Sequence, residues 1–172
     1  MKQQIIVSGI GGQGVLFLTR VIAQMAVNKG IPVLTSETHG MAQRGGTVLS
    51  TIKIGKFSSP LIRTGQADLG LLLWENNLPV HQSLMKDTGN WIINSTLSGS
   101  GIRIDAADIA RNLGNAVLLN LVLLGAAIKE DKIDFSAGEC QTAIKQLAPS
   151  KFVAQNLEAF QMGLKYEPAD ES

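Results

Sequence analysis

The sequence predicts an α/β fold: a Rossmann-like open, mostly parallel sheet with helices on both faces and a helical C-terminal third. Three observations carry that expectation. A short apolar strand at the start of the chain runs through a glycine-rich turn into an unbroken helical pattern. Leu69 to Leu73 is apolar on both faces, as suits a central parallel strand, and from Asp105 onward every segment has helical periodicity.

Taken in order, Gln4 to Ser8 is a buried strand, Gly9-Ile10-Gly11-Gly12-Gln13-Gly14 a turn, and Val15 to Asn28 a helix. Gly30-Ile31-Pro32 ends that helix and starts a second strand through Thr35, completing a right-handed βαβ unit. Periodicity is lost between Ser36 and Gly46, which is expected to be a loop; Thr47 to Ile54 then alternates like a half-exposed strand. Lys56 to Gln66 suits an irregular or edge segment, Leu78 to Met85 a short crossover helix, and Asn90 to Asn94 and Ile102 to Ile104 two further strands. Helices are expected from Asp105, as cap, to Leu113, from Ala116 to Lys129 (buried), from Phe135 to Leu147, and from Pro149 to Leu164 with Phe152, Leu157 and Phe160 inward.

With 172 residues, 45 % of them hydrophobic, the chain suits one domain over residues 1–166, followed by a disordered acidic tail at 167–172. Fifteen basic and 14 acidic residues leave a net charge of +1, which gives no electrostatic footprint for nucleic acid or an anionic membrane. Cys140 is the only cysteine, so this chain alone forms no disulfide, cysteine-based zinc site or iron–sulfur cluster, and a reducing cytoplasm fits best. Ile5 to Val7 is too short for a signal peptide. Ala116 to Ile128, broken by Asn120 and Gly125, falls short of the ~20 residues that span a bilayer.

The chemistry-bearing residues gather in two segments. Gly9, Gly11 and Gly14 have dinucleotide-fingerprint spacing: Gly9 for the tight turn, Gly11 for close ligand approach, Gly14 for helix-on-strand packing. The turn opens a helix, so backbone N–H groups and the helix dipole converge where phosphate or carboxylate would sit, unless the glycines serve packing alone. Glu37 falls near the place of a ribose-binding acid.

The second segment, Glu37 to Gly46, holds His39, Gln43 and Arg44 followed by Gly45 and Gly46. Arg44 with two glycines suits clamping an anion, or else pairing with Glu37. Both segments leave carboxyl ends of strands and are expected to meet. Cys140 suits a buried thiol and His81, on the short helix, a structural role; Trp74 and Trp91 suit core or interface anchors, and Asp68 and Asp105 capping. No metal-ligand spacing, nucleophile elbow or phosphate loop of the Lys-Ser/Thr type occurs, so no catalytic residue and no metal site is assigned.

Ile6 to Leu16 together with Ser36 to Gly46 resembles the gamma subunit or domain of 2-oxoacid:ferredoxin oxidoreductases. The likeness continues through Ser59-Pro60-Leu61-Ile62, Gly65-Gln66-Ala67-Asp68 and the helical region from Asp108 to Ala126. Within that family, His39-Gly40-Met41-Ala42-Gln43-Arg44-Gly45-Gly46 most resembles the small, beta-named subunit of indolepyruvate:ferredoxin oxidoreductase.

The resemblance implies oxidative decarboxylation of a 2-oxoacid such as an arylpyruvate, with coenzyme A as co-substrate and ferredoxin as indirect electron partner. Thiamine diphosphate, magnesium and iron–sulfur clusters would be held by large companion subunits, and this chain alone would be inactive. Gly9, Gly11, Gly12, Gln13, Gly14, His39, Gln43, Arg44, Gly45 and Gly46 would then line a composite site. A homodimer of the isolated chain is compatible with this reading. The fingerprint and Glu37 also suit a stand-alone NAD(P)-dependent oxidoreductase or a nucleotide-sensing module.

Overall fold

The computed structural model describes residues 1–39 and 46–168; of His39 only the backbone is described. The expectations for Gln43, Arg44 and Gly45, and for tail residues 169–172, therefore lie outside the described residues.

One six-stranded sheet has the order β2-β3-β1-β4-β5-β6. Its strands are β1 (Gln3–Ile10), β2 (Val33–His39), β3 (Thr47–Ile54), β4 (Ala67–Leu72), β5 (Met85–Asn94) and β6 (Ile102–Ile104). β1, β4, β5 and β6 are successive parallel neighbours, while β3 is antiparallel to both β1 and β2. The α/β class and the mostly parallel sheet are borne out, but the first βαβ unit is corrected. β2 runs the same way as β1 without touching it, because β3 folds back from β2 as a hairpin and takes the place beside β1.

That insertion explains two further differences. β3 is largely buried rather than half-exposed, since it lies between two strands, and Ser36 to His39 belong to β2 rather than to a loop because they pair with Thr51 to Val48. Ile5, Val7, Ile52, Leu69, Leu71 and Ile92 share one face and one large apolar cluster with α1 (Val15–Asn28) and the C-terminal helices. The opposite face carries the smaller cluster of Ile6, Ile62, Ala67 and Met85 with Leu49, Leu84 and Trp91. Residues 56–66 cross this face, with Thr51 Oγ1 donating to the carbonyl of Pro60 at 3.0 Å. The short α2 (Leu78–His81), between single turns at Glu75–Asn77 and Gln82–Leu84, forms the crossover from β4 to β5.

β5 starts at Met85, earlier than expected, and Trp91 stacks where a Cβ on Gly70 would sit, so a half-buried ring fills the space a β4 side chain would need. Asp68 lies inside β4 and caps nothing: its carboxylate accepts from the backbone N–H of Gln4 at 2.7 Å and pairs with Lys86.

The helical third is α3 (Ala106–Asn112), α4 (Leu119–Lys129), α5 (Ala137–Leu147) and α6 (Val153–Leu164). Asp105 caps α3 by accepting from Asp108 N–H. Ser136 and Glu139 form a reciprocal capping box on α5, satisfying two orphan donors. Every residue of α4 except Lys129 is buried, as its apolar composition requires. Phe152 points outward, 41 % exposed, contrary to expectation: a single turn at Ser150–Phe152 precedes α6 and shifts the phase of its apolar stripe. Trp74 is likewise 40 % exposed rather than a core anchor. Cys140 is fully buried and burial pushes its thiol pKa far up, so it is an inert packing group. None of the described helices is long and apolar enough to cross a membrane.

His81 is buried, its Nε2 has no partner among the described residues, and loss of hydration lowers its pKa below the ordinary 6.5. The unfolded chain therefore binds the proton more readily, and stability rises with pH up to about 6.5 and is flat above it as far as this group is concerned. Urea midpoints of the native chain and of His81→Phe, measured from pH 5 to 7.5, should differ in slope only below that value. Parallel curves would refute the assignment.

Candidate functional site

The carboxyl ends of β1, β4 and β5 meet at the turn between β1 and α1. Gly9, Gly11, Gly12 and Gly14 have distinct roles there. Gly9 is not in a left-handed conformation. A Cβ at Gly9 would lie 2.7 Å from Gln13 Oε1, 3.0 Å from Val15 and 3.1 Å from Leu73, so packing beneath the turn excludes a side chain. Gly12, with φ 94°, forms an apex where no atom of the described residues lies within 4 Å of the place a Cβ would take. Gly14 adopts φ 77°, and a Cβ there would lie 2.5 Å from Asn120 Nδ2, so it accommodates α4 rather than a strand.

Gly11 supplies the link to the second segment. Its N–H donates to the carbonyl of Gly46 at 3.0 Å, and Thr47 pairs with Ile10. Gly46, the last residue of the second segment, thus lies directly beside the glycine turn, while residues 40–45 of that segment lie outside the described residues. His39 closes β2 opposite Val48.

Two side-chain amides that the sequence did not single out for this site hold the turn, and a third, Asn94, holds the neighbouring end of β4. Asn77 Nδ2 donates to Ser8 Oγ and to the Gly9 carbonyl, both at 3.0 Å. Asn120 Nδ2 donates to the Gly14 carbonyl at 3.1 Å, while its buried Oδ1 has no partner among the described residues. Asn94 Nδ2 donates to the Leu73 carbonyl at 3.1 Å, and its Oδ1 accepts from Ala107 N–H at 2.9 Å, joining β5 to the start of α3. Asn120 had one legible signal, as the lone hydrogen-bonding side chain within the apolar run Ala116 to Ile128.

Electrostatically, α1 begins with no side-chain cap and no acidic residue in its first turn. The positive end of its dipole and its leading N–H groups, uncapped by any side chain among the described residues, lie next to the Gly12 apex. The dinucleotide geometry does not follow. The Gly11 amide is already bonded to Gly46, and Glu37 projects from edge strand β2, separated from β1 by β3 and paired across from Ser50. Glu37 consequently does not occupy the ribose-binding place beside the turn, and the NAD(P) reading loses its second support. Among the described residues no group of three or more His, Cys, Asp or Glu side chains is arranged to hold a metal.

Comparison with known proteins agrees with this architecture. The chain is 31 % identical to the indolepyruvate oxidoreductase subunit IorB of Archaeoglobus fulgidus, over 95 % of this chain and 94 % of that one. It is 30 % identical to the subunit of the same name from Methanothermobacter thermautotrophicus, over 95 % and 96 %. The crystal structure of the keto/oxoacid ferredoxin oxidoreductase gamma subunit from Geobacter sulfurreducens superposes with a TM-score of 0.77 at 26 % identity, covering 95 % of this chain and 96 % of that one. The profile of the pyruvate ferredoxin/flavodoxin oxidoreductase family matches residues 4–166, and the chain belongs to that family as a gamma-type subunit of a 2-oxoacid:ferredoxin oxidoreductase complex.

Proposed function

We propose that this chain serves an indolepyruvate-type oxidoreductase, and that the glycine turn and the Arg44 loop form one wall of an active site shared with a thiamine-diphosphate subunit. The substrate class is supported by the two IorB relatives, matched over nearly their whole length, and by the wording of His39 to Gly46. The wall is supported by one observation above the others: the start of α1, uncapped by any side chain among the described residues, lies beside the Gly12 apex, and Gly46 bonds to the same turn.

In this reading a bulky 2-oxoacid loses carbon dioxide, its acyl group forms a thioester with coenzyme A, two electrons pass toward ferredoxin and one proton is released. Thiamine diphosphate, magnesium and the iron–sulfur clusters belong to companion subunits, in keeping with a sequence that has one cysteine. The wall offers backbone N–H groups, the helix dipole and the Arg44 guanidinium to a carboxylate, to coenzyme A phosphates or to the cofactor diphosphate.

Arg44→Ala in the reconstituted complex is expected to raise the KM of coenzyme A or of the 2-oxoacid by about tenfold or more, as for loss of a charge-assisted hydrogen bond, while the subunits still co-elute. Unchanged saturation by every ligand in a normally assembled complex would leave this edge a purely architectural role.

A further inference from the structure

Both polar atoms of the Gln13 side chain are engaged inside the protein. Oε1 accepts from the backbone N–H of Ile10 at 2.8 Å, and Nε2 donates to the carbonyl of Leu73 at 3.1 Å. Leu73 directly follows β4 and is itself tied to β1, donating its N–H to the Ser8 carbonyl at 2.8 Å. The same Leu73 carbonyl accepts from Asn94 Nδ2. One planar amide thus closes the glycine turn on itself and fastens it to the end of the neighbouring strand.

The requirement is chemically narrow. The group must accept at one atom and donate at the other, so a carboxylate cannot reproduce it, and asparagine is one methylene shorter. It also gives the first glycine of the turn its reason, since a Cβ on Gly9 would lie 2.7 Å from Gln13 Oε1. Gly9 and Gln13 are a matched pair: the missing side chain of one makes room for the amide of the other.

We infer that Gln13 is a positioning residue: its amide clamps the glycine turn onto the carboxyl end of β4 and so fixes the direction in which Gly12 and the first amides of α1 face an anionic ligand. The inference rests on the wall reading proposed above. Gln13 itself does not touch the ligand, because neither of its polar atoms is free to turn outward without breaking a bond in the turn. Preorganised donors need no rearrangement when the ligand arrives, whereas a loosened turn must be ordered by the ligand.

The test uses the full chain assembled with its companion subunits, native or carrying Gln13→Ala or Gln13→Glu. Two readouts are needed: amide hydrogen exchange at residues 10–12, and KM and kcat for coenzyme A and for the 2-oxoacid. Gln13→Ala should speed exchange at Ile10 by about fivefold, the loss of one hydrogen bond, and raise at least one KM by about tenfold with kcat within about twofold. Gln13→Glu keeps an acceptor for Ile10 N–H but faces the Leu73 carbonyl with a second acceptor. It should therefore leave Ile10 protected and still raise the same KM, and it carries the test if the alanine variant fails to assemble.

Unchanged exchange in Gln13→Ala would overturn the clamp, and native KM values in Gln13→Glu would overturn the positioning role. Faster exchange in Gln13→Ala with every KM unchanged would show that the clamp exists but does not aim the turn at a ligand. That result would overturn the positioning role, while the wall reading stands or falls separately with Arg44→Ala. A purely structural glutamine would lower the thermal midpoint and leave KM untouched.

Discussion

Gly163→Ala should lower the free energy of unfolding by about 2–3 kcal/mol, the range for overpacking a close helix contact. Gly163 on α6 faces Gly125 on α4. A Cβ at Gly163 would lie 2.9 Å from the Gly125 Cα and closer still to the Val122 carbonyl oxygen. Both neighbours are backbone, so no rotamer change relieves the overlap and the two helix axes must move apart. α4 is buried along nearly its whole length, and its displacement would disturb the core against α1 and the sheet. Alanine gains about 1 kcal/mol of helix propensity over glycine, which the overlap outweighs.

Gly138→Ala is the matched control. It lies in α5, where the nearest atom to a new Cβ is Ser136 Oγ at 3.9 Å, so propensity acts alone and a gain of about 0.5–1 kcal/mol is expected. Urea unfolding of both variants decides the matter. A midpoint for Gly163→Ala equal to or above that of the native chain would show that α4 and α6 are not packed this closely.

The sequence made the order of elements legible wherever periodicity changed abruptly. β1 passing through glycines into α1 was visible because an apolar run gives way to a helical stripe, and the bounds Thr47 and Ile54 of β3 coincide with the ends of its alternation. Strand neighbours were not legible. A second apolar run after a helix suits a βαβ crossover as well as it suits the outer arm of a hairpin, and only long-range pairing decided that β3 enters between β1 and β2.

The candidate site divides along the same line. The meeting of its two segments followed from strand polarity, a topological rule, and the Gly11 to Gly46 bond agrees with it. The amides of Asn77, Asn94 and Asn120 act singly, at element ends or inside an apolar helix, and a single residue makes no period. Gln13 was visible as part of the turn. Its inward role depends on Leu73, 60 positions away, which no local pattern encodes.

Asn120→Asp is expected to cost about 3–5 kcal/mol at pH 7, the range for an uncompensated buried charge. Asn120 is 1 % exposed and holds the Gly14 carbonyl by its only donor group, while its side-chain oxygen has no partner among the described residues. A carboxylate there would turn an oxygen toward a carbonyl oxygen with no compensating cation among the contacts described for this side chain. Burial and that repulsion both favour the neutral acid, so the folded-state pKa of Asp at 120 would rise above the unfolded value of about 3.9. Between those two values the folded state binds more protons than the unfolded one, and the variant loses stability, relative to the native chain, as pH rises. Near pH 4 the neutral carboxyl can donate to Gly14 as the amide does, and the deficit should shrink. Asn120→Leu removes the hydrogen bond and the orphaned oxygen together and should cost no more than about 1–2 kcal/mol without pH dependence. Urea unfolding of both variants at pH 4 and pH 7 separates these outcomes. A deficit for Asn120→Asp that is small at pH 7, or that grows on acidification, would mean that residue 120 is not sealed against the glycine turn, and the close approach of α4 to Gly14 would go with it.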